Sequence, residues 1–294
     1  MAMNQNDISE ILSESLNKNS GFYFHGGTLL EKGETEFQTY EVWDTPQFGR
    51  LFRLDGFFMT SEQDEFFYHE NMIHPAAVTH PNPEKILIIG GGDGGAAEEI
   101  FKHPSVKQVV MVELDGGVVD IARKYFSTIH QGSLDDKRLN LRIEDGLVYV
   151  REIAPSAGEK FDLIILDLTD PIGPAAELYA LPFIKECKAL LNPDGIFILH
   201  TGPPVFEKNR VSGQVKILRD AFTLVAPYFV YIPLYGTLWG MATCSDTIDP
   251  RQMSKEDVDR VIQRRGLSEL QYYNGSAHEA VFALPEYIKK LLES

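Results

Sequence analysis

The hydrophobic and polar positions of the chain follow two different periods. From about residue 20 to residue 60, aromatic and polar residues alternate in segments such as TEFQTYEVWDT (35–45) and LFRLDGFFMT (51–60), which the turn PQFGR separates. This period of two, interrupted by Pro and Gly, predicts antiparallel strands. Residues 1–19 are polar and predict a short helix or a partly disordered segment. A helix is expected over residues 61–80, with Ser61 at its start.

The Pro-rich segment HPNPEK (80–85) marks the predicted boundary between two parts of the chain. Beyond it, near-continuous apolar runs alternate with helical patterns, which indicates an α/β fold with a mostly parallel sheet covered on both faces. Strands are expected at residues 85–90, 108–114, 140–145, 161–168 and 195–201, helices at about 95–103, 116–126, 146–153 and 178–191, and a closing hairpin over 230–246. We therefore predict an N-terminal segment with a small antiparallel β-domain and a linking helix over residues 1–80, and a catalytic domain over 81–294.

Composition narrows the class of protein. The 294 residues are enough for one large α/β domain, or for a large domain and a small one. A net charge of −16 argues against nonspecific binding to nucleic acid or anionic membranes, and it is compatible with a polycationic substrate. The two cysteines give no disulfide framework, and the sequence shows neither a signal peptide nor an apolar run of roughly 18–20 residues. We expect a cytoplasmic protein.

Acidic residues follow four of the predicted parallel strands. Asp93 lies inside the glycine loop GGGDGG (90–95), and Glu113 ends the second strand twenty residues later. Asp145 ends the third strand, beside Gly146, and the fourth strand ends in DLTDPIGP (167–174). Ligands bind at the carboxyl ends of parallel strands, and an acid at the end of the second strand can hold the hydroxyls of a ribose. The pattern predicts a nucleoside site.

Asp93 restricts which nucleoside the loop can bind. A carboxylate there would repel a phosphate, and the loop lacks the Gly-Lys-Ser/Thr ending of a phosphate-binding loop. A nucleoside with a positive charge fits better, as in S-adenosylmethionine and its relatives. A methyltransferase must accommodate the carboxylate of S-adenosylmethionine, which Asp93 would repel. Decarboxylated S-adenosylmethionine keeps only a cationic aminopropyl arm, for which Asp93 is an attractive counter-charge.

Asp167 and Asp170 are the candidates for the chemical step. An alkylamine has a pKa near that of lysine, about 10.4, and only its free base attacks a sulfonium-activated carbon. A carboxylate at a strand end can accept that proton while it attracts the cationic amine. A second carboxylate three residues later could direct the amine or hold its far end. The alternative is that DLTDP is only a turn that ends a strand, with Asp170 capping the next segment.

The histidines and aromatic residues allow a structural interpretation as well as a functional one. His69 and His74 are five residues apart, whereas a zinc-protease helix needs two histidines four apart, so we expect no metal site. Tyr68 and His69 could line a site from their helix, and Tyr235 and Trp239 could wall an apolar channel for a polymethylene chain. Packing in the core is the alternative for all of them.

These residues together make the sequence resemble the polyamine aminopropyltransferases, the spermidine synthase family, in its bacterial form. The resemblance covers about residues 35–291 and rests on FQTYEVWDTPQFGRLFRLDG, DEFFYHE, ILIIGGGDGG, VVMVELD, EDG, DLTDPIGP and YYNGSAHEAVFALPEYIKK. It implies a Rossmann-like fold of the class I S-adenosylmethionine-dependent type behind a small N-terminal β-domain, assembled as a homodimer or homotetramer. The implied reaction transfers the aminopropyl group of decarboxylated S-adenosylmethionine to putrescine. The products would be spermidine and 5′-methylthioadenosine, with no metal and no cofactor besides that co-substrate.

The resemblance also implies a role for each matching residue. Asp167 matches the general base, Asp170 the acid that binds the acceptor amine, and Asp93 the acid on the aminopropyl amine. Glu113 matches the ribose ligand. The other matches are Asp145 and Gly146 at the adenine, Gln38 and Pro174 at the nucleoside, and His69 with Tyr68 in the polyamine channel, which Tyr235 is expected to line as well.

Three segments depart from the family pattern. They are Met59 in FFMTS, the segment HTGPPVF (200–206) and the hairpin PLYGTLWG (233–240). All three could touch the acceptor, so putrescine is the first choice and cadaverine, agmatine and spermidine stay open. A methyltransferase, and a nucleoside- or polyamine-binding protein without activity, are the competing hypotheses.

Overall fold

Two sheets organise the chain in the computed structural model, which describes residues 10–171 and 173–293 without the side chains of residues 10, 173 and 174. Within these ranges the N-terminal sheet has five strands, in the order β1-β2-β3-β4-β5: β1 (Glu10–Asn17), β2 (Ser20–Glu34), β3 (Thr39–Thr45), β4 (Gly49–Leu54) and β5 (Phe57–Ser61). All neighbouring strands in it are antiparallel, as the period of two predicts.

The prediction for the first nineteen residues was wrong where the structure describes them. Residues 10–17 form β1, which pairs with the first half of β2. Among the described side chains of β1, only Leu12 is deeply buried, packed with Trp43, Phe48 and Phe58. Its strand conformation therefore depends mainly on pairing with β2, which a pattern of polar residues does not reveal. Residues 1–9 lie outside the described residues.

A second sheet, the central sheet, forms the body of the protein. In the described ranges it has seven strands, in the order β11-β12-β10-β9-β6-β7-β8. They are β6 (Lys85–Gly90), β7 (Gln108–Glu113), β8 (Leu139–Ile143), β9 (Phe161–Asp167), β10 (Leu191–Gly202), β11 (Leu224–Ile232) and β12 (Thr237–Ser245). The five strands from β10 to β8 are parallel, and β12 is antiparallel to both of its neighbours. The predicted strands and the closing hairpin are confirmed.

Both faces of the central sheet are covered. Along β6, Leu87 and Ile89 pack into one apolar cluster, whereas Ile86 and Ile88 pack into another on the opposite face. All four side chains are buried, which is why this strand shows a continuous apolar run and no alternation. The α/β class with a mostly parallel sheet and a small antiparallel sheet is therefore confirmed.

The helices lie mostly between the strands of the central sheet. They are α1 (Glu65–Thr79), α2 (Gly95–Phe101), α3 (Gly116–Tyr125), α4 (Ser127–His130), α5 (Gly146–Val148), α6 (Ala154–Ser156), α7 (Leu181–Ala189), α8 (Lys208–Ala221), α9 (Lys255–Arg265), α10 (Gly275–Phe282) and α11 (Glu286–Glu293). A π-helical turn, Tyr149–Ile153, connects α5 to α6, and short 3-10 helices span Ser133–Asp135, Gly173–Tyr179 and Pro250–Gln252. None of the described helices is both long and apolar enough to cross a membrane.

Helix α1 begins later than the sequence predicts. Ser61 is the last residue of β5, and the helix starts at Glu65, directly after Asp64. The Ser61 hydroxyl donates to the Asp64 carboxylate across 2.5 Å, so Ser61 fixes the turn before the helix and does not cap it. The side chains of Met72, Ile73 and Ala76 pack into the cluster on one face of the central sheet. The helix thereby holds Tyr68 and His69 over the carboxyl ends of its strands. The domain boundary at residues 80–81 stays a prediction.

Candidate active site

A cavity of about 400 Å³ opens at the carboxyl ends of the parallel strands, between them and the N-terminal sheet. Most of the predicted site residues line it together: Gln38, Tyr68, His69, Asp93, Glu113, Asp145, Gly146, Asp167 and Tyr235. Asp170 lines a smaller adjoining chamber of about 170 Å³, which shares Tyr68 and Tyr235 with the main cavity. Pro174 belongs to the 3-10 helix Gly173–Tyr179, but its side chain lies outside the described part of the structure.

The glycine loop is tied to the end of the neighbouring strand β9. The Gly91 N–H donates to the Asp167 carbonyl oxygen across 2.8 Å. Gly90 has φ of +84°, and a Cβ there would lie 2.1 Å from the same carbonyl oxygen. Only glycine meets both conditions, since side chains rarely adopt this φ and no backbone can yield that much space. The loop therefore brings Asp93 and Asp167 to the same end of the cavity.

Asp93 forms a chain of charges with helix α1. Its carboxylate accepts a hydrogen bond from the Gly95 N–H (3.0 Å) and lies 3.5 Å from His69 Nε2. The other ring nitrogen, Nδ1, lies 2.7 Å from Glu65. Burial alone would lower the pKa of His69, but the two carboxylates raise that pKa well above its ordinary value. The same contacts keep the pKa of Asp93 below its ordinary value despite burial, so Asp93 is ionised beside an imidazolium.

The protonation of His69 affects which cations the cluster of His69, Asp93 and Asp167 can bind. His69, Asp93 and Asp167 offer ligand atoms within 4.8 Å of one another, a spacing that a metal ion could use. An imidazolium has no lone pair to give to a metal, however, because both nitrogens carry protons. The three carboxyl groups of Glu65, Asp93 and Asp167 outnumber the single imidazole ring of His69, so the cluster has more acidic than basic groups.

Replacing Gly95 with alanine is expected to damage this cluster. A Cβ at Gly95 would lie 2.3 Å from Cε1 of the buried His69 ring, which would have to move away from Asp93 and Glu65. We expect the free energy of unfolding to fall by about 1–3 kcal/mol, the usual effect of overpacking a core. Chemical denaturation of the purified variant measures it. Gly213→Ala in α8 is the matched control, because nothing lies within 4 Å of its Cβ. Equal stability of G95A and wild type would contradict the proposed packing of His69.

The end of the cavity near Glu113 joins the two sheets. Glu113, the last residue of β7, accepts a hydrogen bond from the Asp115 N–H across 2.9 Å, and burial raises its pKa to about 7. Gln38 donates from Nε2 to the Asp115 carboxylate across 2.8 Å. Asp145 accepts from the Leu147 N–H across 2.8 Å at the start of α5. Asp115 was missed in the sequence, although it precedes a helix and follows Glu113 by two residues.

Asp167 lies close to Asp93 and His69. It is the last residue of β9, and the Tyr68 hydroxyl donates to its Oδ1 across 3.0 Å. Burial and the negative charge of Asp93 raise the pKa of Asp167 to about 6, although His69 and the hydrogen bond from Tyr68 oppose the shift. A carboxyl with this pKa can both accept and release a proton near neutral pH.

Asp170 has a cationic partner that the sequence analysis missed. Arg210 of α8 donates to its Oδ1 across 2.7 Å and to Glu207 across 2.6 Å. Glu14 of β1 also lines the chamber, and its carboxylate accepts the Phe58 N–H across 2.5 Å. Burial raises the pKa of Glu14 to about 7. Arg210 is forty residues from Asp170 in the chain, so no local motif could have indicated the pair.

Comparison with known proteins shows relatives in one family. A family model described as the spermine/spermidine synthase domain matches residues 65–255. The chain is 43% identical over 279 residues to a polyamine aminopropyltransferase of Nitrosomonas europaea, covering 95% of this chain and 85% of the relative. It is 39% identical over 280 residues to a polyamine aminopropyltransferase of Pyrobaculum neutrophilum, covering 95% and 96%.

Solved structures are similar over nearly the whole chain. A crystal structure of spermidine synthase in complex with the transition-state analogue AdoDATO is 34% identical, with a TM-score of 0.89, and the match covers 99% of this chain and 96% of that one. The spermidine synthase from Thermotoga maritima is 34% identical, with a TM-score of 0.88 and coverage of 100% and 97%. The chain therefore belongs to the spermine/spermidine synthase family and is a transferase.

Proposed function

We propose that the protein transfers the aminopropyl group of decarboxylated S-adenosylmethionine to putrescine, giving spermidine and 5′-methylthioadenosine. The observation that carries the proposal is the pair of carboxylates Asp93 and Asp167. They offer oxygens within 4.8 Å of each other in a cavity of about 400 Å³, a size typical of small-molecule sites. The aminopropyl arm of the donor and the amine of the acceptor both carry positive charge, and they have to come together beside these two carboxylates.

The donor is expected to lie along the strand ends. Glu113 would accept hydrogen bonds from the ribose hydroxyls, while Asp145 and Gly146 would contact the adenine. Gln38, held by Asp115, and Pro174 would cover the nucleoside. Asp93 would hold the amine of the aminopropyl arm, which puts the sulfonium and its neighbouring carbon close to Asp167.

The chemical step requires a neutral amine. Asp167 accepts a proton from the ammonium of the acceptor, and the freed nitrogen attacks the aminopropyl carbon next to sulfur. The carbon–sulfur bond breaks, its electron pair stays on sulfur, and the neutral thioether 5′-methylthioadenosine leaves. Tyr68 directs the Asp167 carboxylate through its 3.0 Å hydrogen bond. Tyr235 lines the passage to the adjoining chamber, where Asp170 belongs to the acceptor end.

The first test is an assay of 5′-methylthioadenosine release. The purified protein is incubated with decarboxylated S-adenosylmethionine and, in turn, putrescine, cadaverine, agmatine or spermidine. We expect the fastest release with putrescine, and a faster rate with another amine would reassign the acceptor. Methyl transfer from S-adenosylmethionine to an amine would instead favour a methyltransferase. Tight binding of the donor without any product would favour a binding protein.

The rate is expected to depend on pH through Asp167. The base must be ionised, and its pKa is raised to about 6, so kcat/KM should fall about tenfold per pH unit below that value. Raising the pH above 6 should restore activity, because more Asp167 is then in its carboxylate form. A profile of kcat/KM from pH 4.5 to 8, with stability checked at each pH, measures this. A rate that stays flat down to pH 4.5 would exclude a base with this pKa.

We further propose that the reaction needs no metal and no cofactor beyond the donor itself. The imidazolium character of His69 supports this, since it leaves the acidic cluster without a neutral histidine ligand. Activity that survives dialysis against a chelator would agree. We also propose a cytoplasmic enzyme that assembles as a homodimer or homotetramer. The proposed ligands are small molecules, and no nucleic acid or membrane is involved.

A further inference from the structure

His69 is the one basic side chain in the wall of the main cavity. Among the residues that the structure describes, no lysine, no arginine and no second histidine lines this cavity. Its acidic lining residues are Asp55, Asp64, Glu65, Asp93, Glu113, Asp115, Asp145 and Asp167. Each ionised carboxylate makes it harder to ionise the next one, because burial weakens the screening by water. The placement of a single positive charge therefore affects which of these acids are ionised.

The imidazole ring of His69 is held in one orientation. Its side chain is 3% exposed, and a Cβ at Gly95 would lie 2.3–2.6 Å from three atoms of the ring. Glu65, one turn earlier in α1, lies 2.7 Å from Nδ1, and Asp93 lies 3.5 Å from Nε2. A ring that carries both protons points one N–H group at each carboxylate.

The two contacts of the ring differ in their relation to the substrate. Asp93 is expected to bind the aminopropyl amine of the donor, which competes with His69 for the oxygens of that carboxylate. Glu65 contacts the other ring nitrogen, so its contact does not compete with the donor. Its distance of 2.7 Å is that of a charge-assisted hydrogen bond. Glu65 is therefore the partner that can hold the charge on the ring while the donor is bound.

The other titratable groups near His69 and Asp167 do not replace this charge. Lys102 of α2 pairs with Glu98 across 3.0 Å and with Glu99 across 2.8 Å. Burial lowers the pKa of His130, whose ring lies near Asp93 and is neutral at neutral pH. The remaining neighbours are acids or phenols: Asp64 and Tyr68 of α1, Glu98 of α2, Glu113 of β7, Tyr179 of the 3-10 helix Gly173–Tyr179, and Tyr235 between β11 and β12.

We propose that Glu65 is a positioning residue of the transfer reaction: the hydrogen bond that it accepts from His69 fixes one positive charge beside Asp93 and Asp167, which lets both carboxylates be ionised together. This inference rests on the proposed function, because it concerns the same base and the same donor acid. Burial and Asp93 raise the pKa of Asp167, and His69 opposes that rise. Without the charge on His69 this pKa rises further, and less of the base is ionised at neutral pH.

Replacing Glu65 with glutamine removes the negative charge and keeps the contact, since the amide oxygen still accepts the Nδ1 proton. NMR of protein with isotope-labelled histidine and aspartate side chains follows both groups without any turnover, and His69→Gln and Asp167→Asn supply the assignments. We expect His69 of wild type to stay protonated over about pH 6–8 and to lose its proton within that range in E65Q. The titration of Asp167 should move upward by about one pH unit.

The same shift is expected in the kinetics. The profile of kcat/KM for the donor reports the ionisation of the free enzyme, and its acidic limb in E65Q should lie about one pH unit above that of wild type. The variant should therefore lose up to about tenfold of kcat/KM near pH 5 and almost none near pH 8.5. A mere loss of packing in α1 would lower the rate equally at every pH.

Two further variants serve as controls. In a His69→Gln background, Glu65→Gln should shift the acidic limb no further, the non-additivity expected when one residue acts through another. Glu152→Gln makes the same change of charge at an exposed position of the π-helical turn. It should leave both titrations and the rate unchanged.

The outcomes distinguish this inference from the proposed function. The role of Glu65 would be overturned if His69 of E65Q stays protonated up to about pH 8, if the titration of Asp167 does not move upward, or if the rate falls equally at every pH. Product formation with unshifted titrations would uphold the proposed function alone. Both expected titration shifts, in a wild-type protein that forms no product from the donor, would uphold the charge that Glu65 fixes and refute the transfer reaction.

Discussion

Replacing Asp167 with asparagine is expected to lower kcat about a thousandfold while the affinity for the donor nucleoside stays within about twofold of wild type. Asparagine has nearly the same shape, and its amide oxygen can still accept the hydrogen bond from Tyr68. It cannot accept a proton, so the acceptor stays an ammonium and its nitrogen has no lone pair for the attack. Single-turnover release of 5′-methylthioadenosine measures the chemical step, and calorimetry with the donor measures binding.

The control for this variant is Asp220→Asn, an identical change of charge at an exposed position of α8. It should retain the wild-type rate. If Asp167→Asn keeps more than about a tenth of the wild-type kcat at pH 8, then another group takes the proton and Asp167 only orients the amine.

Replacing Asp93 with asparagine is expected to weaken the binding of decarboxylated S-adenosylmethionine about 10–100-fold, the usual effect of losing a hydrogen bond to a charged group. The variant removes the counter-charge for the aminopropyl amine and leaves the imidazolium of His69 with only Glu65. The same change should reduce the discrimination against S-adenosylmethionine, because its carboxylate would no longer face a negative charge. Calorimetric titration of both nucleosides into wild type and variant gives the two ratios.

The ratio of the two affinities is the informative quantity for Asp93. A general distortion of the glycine loop would weaken the binding of both nucleosides equally, so the ratio of their affinities would stay unchanged. That result would contradict the role of Asp93 as the residue that selects the decarboxylated donor. Asp220→Asn again serves as the control and should change neither affinity.

The central sheet could be predicted from the sequence because its inner strands, such as β6 and β9, are buried on both faces. The apolar run ILIIG predicts the strand β6 without further context. It ends in glycines, and the structure shows that Gly90 has no room for a side chain. The grouping of the acids at the strand ends could also be predicted, because parallel strands bring their carboxyl ends to one edge of the sheet. Most of the predicted site residues therefore line one cavity.

The features that the sequence could not reveal depend on pairs of residues far apart in the chain. Strand β1 forms because β2 pairs with it, and Glu14 reaches the smaller chamber beside the main cavity through that pairing. The ion pair between Asp170 and Arg210 spans forty residues. The charge on His69 depends on Glu65 and Asp93, of which only Glu65 lies on the same helix. Apart from Glu65 and His69, which are four residues apart on one helix, no periodicity in the sequence encodes these contacts.

The buried carboxyl groups that line the two cavities are expected to couple ligand binding to proton release. Burial raises the pKa of Glu14 and Glu113 to about 7, and burial together with Asp93 raises that of Asp167 to about 6. The pKa of each group is higher in the folded protein than in the unfolded chain. Ionisation of these groups therefore destabilises the folded protein as pH rises from about 4 towards 7. Cationic substrates favour the ionised forms and so expel protons into the solvent. If the substrates are the organic cations proposed above, their binding is expected to release hydrogen ions, and their affinity is expected to increase across this range of pH.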